Sequence, residues 1–527
     1  MSKFIGEDFI RLRRRRSAEA EPFLTLAFGD EVEVLAEQGG FVKLRALTHF
    51  DGRATGWAKN SPPLRLLDNG ILKLSMVDVQ QGDGLVLESP SGKIVLIDGG
   101  DNKLFARHVA ARFRHRGATA ANPLPVEAIV ITHGDADHFD GLNDIKRSET
   151  DRGISARKRL FIHPKRVYHN GLVKMPSSRA SGQRRPDAEM FGDTVESGGD
   201  LFAVELHDDP RDVPENKLNT PFKRWVKTLQ HWAQRGNFDI RRVAFGDDSA
   251  QVFDFLEPDN VHVEIQGPFP EIVNDPVSGA SLTGLRFFHA PKKSPDMHLT
   301  EAEAGGVSAS HTINGHSMAL RIRFGEVRLS LTGDLNRPAM KLMLENLPAS
   351  DLEAEIVKAP HHGSADFDFD ALKAMSPVAA IISSGDESPS KDHIHPRATL
   401  MAALGKVMRM DTGIIFNTEL AAFFSKRDYA HKREDLKKYF KDRKDQTFSG
   451  ADIAKLFTGR VDDGDPRPSF FAFERTNFGI IHIRTDGERV LIFTHSGKKG
   501  LNEAYVFTVK QVNGARVVEF KDKAITR

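Results

Sequence analysis

Residues Val126–Leu142, VEAIVITHGDADHFDGL, constrain this chain more than any other stretch. A short apolar run of strand character ends directly in His133, Asp135, Asp137 and His138. A tight loop after a buried strand delivers such residues as alternating ligands, His133 and Asp135 toward one ion, Asp137 and His138 toward a second. Histidine and aspartate in polar loops are commonly just solvated, so the expectation rests on all four together. Cysteine is absent, which removes thiolate ligands, disulfides and cysteine nucleophiles and leaves imidazole and carboxylate as donors. That donor set suits two divalent ions, Zn²⁺ or Mn²⁺, at about 2.0–2.2 Å.

The chain has 527 residues, 39% hydrophobic and 28% charged, with a formal net charge of +1. Two to four domains are expected, and the molecule as a whole is no magnet for nucleic acid or membrane. No stretch approaches the ~18 apolar residues of a membrane span. The run RLRRRR (Arg11–Arg16) is followed by SAEAEPF rather than a secretory apolar segment. The default expectation is a cytoplasmic protein without membrane contact, residues 1–22 being a basic, solvated tail.

From 23 to 67, FLTLAF, DEVEVLAE, FVKLRAL and ATGWAK alternate with turn-prone GD, EQGG and FDG, the pattern of a small all-β barrel. A second rhythm starts at 71 with MVDVQQGDGLVLESP and KIVLIDGG, a helix near 102–116 and then the opening motif. Strand, ligand loop and helix in that order predict an α/β sandwich. Residues 143–309 are long and irregular but include a helix for which Thr220 is the expected N-cap, Pro221 the first turn and Gly236 the end. Phe222, Trp225, Leu229 and Trp232 share one face of it and read as core. HSMALRIRFGEVRLSLTGD, IVKAPHHGS and VAAIISSGD restore regular strands, and residues 427–527 read as a charged helical segment followed by hairpins.

These motifs together resemble the metallo-β-lactamase fold, in the branch typified by the hydrolase domain of the DNA-uptake protein ComEC. Asp135 stands where the more familiar H-x-H-x-D-H motif has its second histidine. Met76–Gly100, LSLTGD (Leu329–Asp334), KAPHHGS (Lys358–Ser364) and HIHP (His393–Pro396) follow in the branch's order and bracket 71–426. The resemblance implies an αββα sandwich with a long insertion at about 143–309, preceded by the barrel and followed by a helical/β extension. It further implies that His133 and Asp135 hold one metal, Asp137 and His138 the other, and that Asp334 bridges them. One of His361 and His362 would be a ligand, His361 slightly favoured. Asp98 would orient a ligand imidazole, Asp137 would also position the attacking hydroxide, and His395 would protonate the leaving oxygen or bind a phosphate oxygen. The fold's separate mid-chain histidine has two candidates, His163 and His169, of which His169 beside a turn is better placed. Gln80 departs from the branch's G-Q-G-D turn. The stretch from Gly29 to Lys59 resembles a bacterial Src-homology barrel. Such modules bind a peptide, a wall component or their own catalytic domain, or act only as a structural appendage.

Asn143 to Pro186 holds twelve Lys/Arg against three Asp/Glu, whereas Asp187 to Glu215 holds ten acids against one arginine. Arg157, Lys158, Arg159, Lys165 and Arg166 are therefore candidates for contact with a phosphate backbone, unless the two stretches neutralise each other. The favoured function is a two-metal phosphodiesterase acting on nucleic acid, DNA in particular. The alternatives are hydrolysis of a small phosphodiester, such as a cyclic nucleotide or a choline-phosphate ester, and a non-catalytic binding or signalling module.

Overall fold

The strands after residue 71 are apolar on both faces, so each must be covered on both sides. In GLVLE (Gly84–Glu88) and IVLID (Ile94–Asp98) every residue is buried. Leu85, Leu87, Val95 and Ile97 face a second sheet, while Val86, Ile94 and Leu96 face helices. In this computed structural model, which describes residues 2–293, 299–385, 395–410, 413–420, 440–447, 449, 476–477, 479–495 and 503–526, that demand is met by an αββα sandwich.

Helices α1 (Lys103–Arg112), α2 (Ala136–Thr150) and α3 (Thr220–Ala233) cover the outer face of the first sheet. From one edge the first sheet runs Asp239–Arg242, Arg166–His169, Ala128–Val130, Ile94–Asp98, Gly84–Glu88, Leu72–Met76 and then four C-terminal strands from Ile480 to Lys523. The second sheet runs Val261–Ile265, Leu320–Phe324, Val327–Leu331, Ile356–Lys358, Ala379–Ile382 and Ile414–Asn417. Helices Arg337–Asn346, Phe369–Met375 and Ala398–Val407 cover its outer face. Strands Ile94–Asp98, Ala128–Val130 and Arg166–His169 are mutually parallel, as are Val327–Leu331, Ile356–Lys358 and Ala379–Ile382. Loops leaving their C-terminal ends therefore collect at one end of each sheet.

Four boundary expectations are corrected. Residues 1–22 are not a tail: Ser2–Ile5 (β1) and Phe9–Arg13 (β2) pair into the N-terminal barrel-like sheet with Pro22–Ala27 (β3), Glu31–Gln38 (β4), Phe41–Ala46 (β5), Ala54–Lys59 (β6) and Leu66–Leu67 (β7). The arginines of β2 hid its alternation, in which Ile10 and Leu12 point into the core. The span 143–309 is not one insertion. It begins inside α2 and supplies three sandwich strands, and a small sheet of Thr194–Ser197, Asp200–Ala203, Glu271–Asn274 and Ser281–Arg286 lies outside them. The C-terminal hairpins are not a separate extension, because Ile480–Thr485 pairs with Leu72–Met76 and continues the first sheet. Asn219, not Thr220, caps α3 by accepting from Phe222 N–H at 3.0 Å, and the helix ends at Ala233. His393 and most of the charged segment from 428 lie outside the described residues.

The barrel is bolted to those C-terminal strands. Arg484 Nη1 donates to Asp30 Oδ1 at 2.7 Å and to Phe28 O at 2.6 Å. Arg489 donates to Gly6 O, pairs with Asp8 and lies over the Phe28 ring. Burial alone would raise the Asp30 carboxyl, but Arg484 and His49 hold it well below the usual range.

Two outcomes follow. Arg484→Leu strands a buried Asp30 carboxylate and should destabilise the protein by about 3–5 kcal/mol in urea unfolding. His316 is buried, donates Nε2–H to Arg286 O at 2.7 Å and stacks on Phe288; burial pulls its pKa from 6.5 down to about 4. The unfolded chain therefore takes up this proton first as pH falls. The neutral imidazole's contribution is complete above about pH 6.5 and is lost progressively toward pH 4, ~3 kcal/mol in all. His316→Phe should unfold with a shallower pH dependence across that interval, read from denaturation midpoints.

Candidate metal centre

The Ala128–Val130 strand releases the chain at Ile131, and α2 begins only five residues later. Asp137 and His138 thus sit in the first turn of the helix and His133 at the end of the strand. On the facing sheet, Val327–Leu331 ends just before Asp334, and Ile356–Lys358 just before His361 and His362. These two adjacent histidines both have positive φ, 45° and 52°, a left-handed pair that L-residues adopt only when the surroundings enforce it. The reversal turns His362 inward and leaves His361 nearer the rim, with side-chain exposures of 7% and 21%.

The inner cluster is tight. His362 Nε2 lies 3.0 Å from Asp334 Oδ2 and 3.3 Å from His138 Nε2, and His138 Nε2 lies 3.4 Å from Asp334 Oδ2. Four groups each bring ligand atoms within 4.8 Å of one another: His133, His138 and Asp334; Asp137, His138 and His362; Asp83, Asp334 and His362; and Asp83, Asp98 and His138.

Hydrogen bonds on the far side of each ring fix which nitrogen faces inward. Asp98 is buried and accepts from His138 Nδ1 at 2.8 Å, from Thr132 Oγ1 at 2.7 Å and from Thr132 N–H at 2.8 Å. Ser317 Oγ gives its one proton to Asn314 O and accepts from Asp334 N–H, so at 3.2 Å it takes a proton from His133 Nδ1. Both Nδ1 atoms carry hydrogen, so both rings turn an Nε2 lone pair into the cluster, that of His133 lying 3.3 Å from the Asn314 amide nitrogen.

Charge supports the same use. Burial would depress His138 and His362, but Asp334 with Asp98 raises the first well above 6.5, and Asp334 with Asp83 raises the second to about 9. Burial would raise Asp334, yet His362, His138 and His361 hold it well below the carboxylate range. Without a cation, the cluster balances its carboxylates with protons on ligand nitrogens, and a divalent ion would displace them. The donors also fit an ion's size: two nitrogens at 2.0–2.1 Å from one tetrahedral ion stand roughly 3.4 Å apart, and those of His138 and His362 stand 3.3 Å apart. Buried Asp334 Oδ1 and His361 Nδ1 have no hydrogen-bond partner among the described residues.

Several expected residues lie elsewhere. Asp135 belongs to none of the four groups: from the N-cap of α2 its Oδ1 accepts from Lys174 Nζ at 2.6 Å. Turned to satisfy its neighbours, the Asn314 amide donates to Asp135 Oδ2 at 3.1 Å and accepts from His361 Nε2 at 3.3 Å. The preference for His361 over His362 is reversed, since His361 stays 3.9 Å from Asp334. His169 is spent on backbone, with Nε2 donating to Asp208 O and Nδ1 accepting from Gly171 N–H. His163 packs edge-on to Phe238. His395 sits at the rim, its ring centroid 5.9 Å from that of His361.

The basic stretch is at the wrong end. Lys165 N–H bonds Val126 O, and Arg166 pairs across from Asp239, so both precede the strand ends that carry His133 and His169. Lys165 and Arg166 pair with Glu127, Arg166 also with Asp254, and Arg159 donates to Ser148, Asp151 and Ile154 carbonyls. Arg157 and Lys158 lie beyond them, against α1 near Arg114. Parallel strands put this end of the sheet opposite the metal ligands.

Two residues went unread in the sequence, Asp83 and Lys358. Lys358 is fully buried, pairs with Asp83, lies 3.6 Å from Asp334 Oδ1 and donates to Gly333 O at 2.7 Å. Asp83 reaches the cluster because Gly82, at φ 92°, lets the turn press on α2, where a Cβ would stand 1.7 Å from Asp137 O. An acidic residue following a glycine in QQGDG was the available signal. Lys358→Met should destabilise the metal-free protein by about 3–5 kcal/mol in urea, because it leaves Asp83 buried and unpaired, and adding Asp83→Asn should recover part of that loss.

Residues 77–211 match the family model described as the Metallo-beta-lactamase superfamily. No curated protein sequence matches the chain. The matched segment carries Asp83, Asp98, His133, Asp137 and His138; Asp334, Lys358 and His362 join them from the facing sheet. The chain therefore contains a metallo-beta-lactamase superfamily domain, the framework of a metal-dependent hydrolase.

Proposed function

We propose that this hydrolase cleaves phosphodiester bonds, with nucleic acid, DNA in particular, as substrate and two ions, Zn²⁺ or Mn²⁺, as cofactors. The observation that carries the reading is the overlap of the four ligand groups through His138, Asp334, His362 and Asp83. His133, His138, Asp137, Asp334, His362 and Asp83 would hold the ions, and groups that share members leave room for two. Such a pair, when bound, supplies an activated water and neutralises the oxygens of an in-line displacement. The motif carries Asp135 rather than a second histidine, which accords with the ComEC-like branch.

The protein's own residues then have distinct tasks. His133 and His138 present Nε2 because Ser317, Thr132 and Asp98 hold their Nδ1–H groups. Asp137, partly exposed at the mouth, is placed to orient the attacking water. Lys358 fixes Asp83 and stands beside Asp334 without reaching solvent. His395 beside His361 is placed to protonate the leaving oxygen.

Metal-stripped protein reloaded with Mn²⁺ or Zn²⁺ should cleave linear or circular DNA, and Asp334→Ala should lower the rate at least 10³-fold while leaving the fold intact by circular dichroism. Intact DNA with cleaved cyclic nucleotides would move the substrate to small diesters. No turnover by protein that retains two ions would sink the phosphodiesterase reading.

A further inference from the structure

The outer face of the barrel concentrates cations that pair with no carboxylate among the described residues. On β2, β6 and β5, alternate residues Leu12, Ala58, Val42 and Leu44 fill the core, so Arg13, Trp57 and Lys43 point outward. The register makes them direct neighbours: Arg13 is opposite Trp57, and Trp57 is opposite Lys43, whose Nζ lies 5.7 Å from the indole centroid. Arg11 and Lys59 stand exposed further along the same strands. The Arg16 guanidinium lies over the Gly39 turn, beside the Phe41–Lys59 pair.

Arg45 pairs with Glu33, but Arg11, Arg13, Arg14, Arg15, Arg16, Lys43 and Lys59 have no carboxylate partner among the described residues. Glu19 and Glu21, in the adjoining loop, leave an excess of five positive charges. Several arginines of the sandwich, by contrast, are paired internally, as in Arg112–Glu88, Arg235–Glu149, Arg328–Glu355 and Arg286–Glu271. Among the described residues, the barrel's contact with the sandwich uses other residues, Ala27, Phe28 and Asp30 with Leu491, Phe493 and Arg484.

We propose that the Arg13–Trp57–Lys43 face binds a single-stranded nucleic acid. Neighbouring strands are about 4.8 Å apart, so two cations flank one indole across roughly 10 Å. A flexible strand can stack a base on that ring while its phosphates meet the cations. A duplex offers no unstacked base, and an acidic peptide would not need the ring. The proposal rests on the nucleic-acid reading of the metal centre for its purpose but not for its test.

The test uses full-length protein in EDTA, so that nothing is cleaved, with labelled 20-nucleotide single-stranded DNA, RNA of the same sequence and the DNA duplex, followed by fluorescence anisotropy. Arg13→Glu with Lys43→Glu should weaken single-strand binding at least tenfold and flatten its salt dependence. Trp57→Ala should weaken it about five- to hundredfold with the salt slope retained. Arg13→Gln with Lys43→Gln gives the milder version should charge reversal unfold the barrel. Preference between the DNA and RNA arms identifies the sugar. The proposal fails if wild type does not bind at 0.1 M salt, if these variants bind as wild type does, if duplex binds as tightly as single strand, or if polyglutamate displaces the strand as readily as unlabelled oligonucleotide. Hydrolysis of a small chromogenic phosphodiester by the metal-loaded variants should stay at the wild-type rate. Its absence in wild type would undo the phosphodiesterase reading and leave this one standing.

Discussion

Asp334 is the group on which the centre depends. It ends a buried strand of one sheet, and within 4 Å its carboxylate meets His138 from the other sheet and Lys358, His361 and His362 from the neighbouring loop. A carboxylate so buried is costly unless cations compensate it. Here compensation comes from imidazoles, His138 held on its far side by Asp98 and His362 standing beside Asp83, and from a lysine sealed beneath. That arrangement is stable only while positive charge, as protons or as metal, occupies the middle.

The sandwich makes this concentration of charge possible. Parallel strands in both sheets end at the same side, so the short segments that follow them deliver side chains to one place without crossing the core. Beneath them the two sheets interdigitate apolar side chains such as Leu87, Ile97, Leu329 and Ile356, which keeps the strand ends in register. Backbone strain at His361 and His362 is tolerated because Asn314, Asp334 and Asp83 hold the two rings. The barrel buttresses the opposite end of the first sheet through Arg484 and Arg489 and leaves its charged face outward.

Much of the fold was legible because burial on both faces leaves near-continuous apolar runs, and because HGDADH, TGD and HHGS follow buried strands in order. The errors share a cause: a local pattern does not reveal its partner. Arg11 and Arg13 disguised β2 as a tail, since its inward Ile10 and Leu12 matter only when β3 and β6 are present. The basic run from Arg157 to Arg166 suggested a substrate track, but each position along parallel strands is also a distance from the active end, and charge composition carries no such coordinate. His169 looked like a ligand beside a turn, and its nitrogens were already committed to Asp208 and Gly171.

By itself the sequence determined the chemistry available: imidazole and carboxylate donors without thiolate, set at the ends of buried strands, and a barrel of alternating short strands. Only the tertiary structure decided which donors meet. His362 replaces His361, Asp83 and Lys358 enter from distant turns, Asp135 goes to Lys174, and the C-terminal strands complete the first sheet. The physical reason is that ligand geometry is set to within an ångström by packing between two sheets whose strands are hundreds of residues apart, whereas spacing along the chain fixes only what lies within one loop.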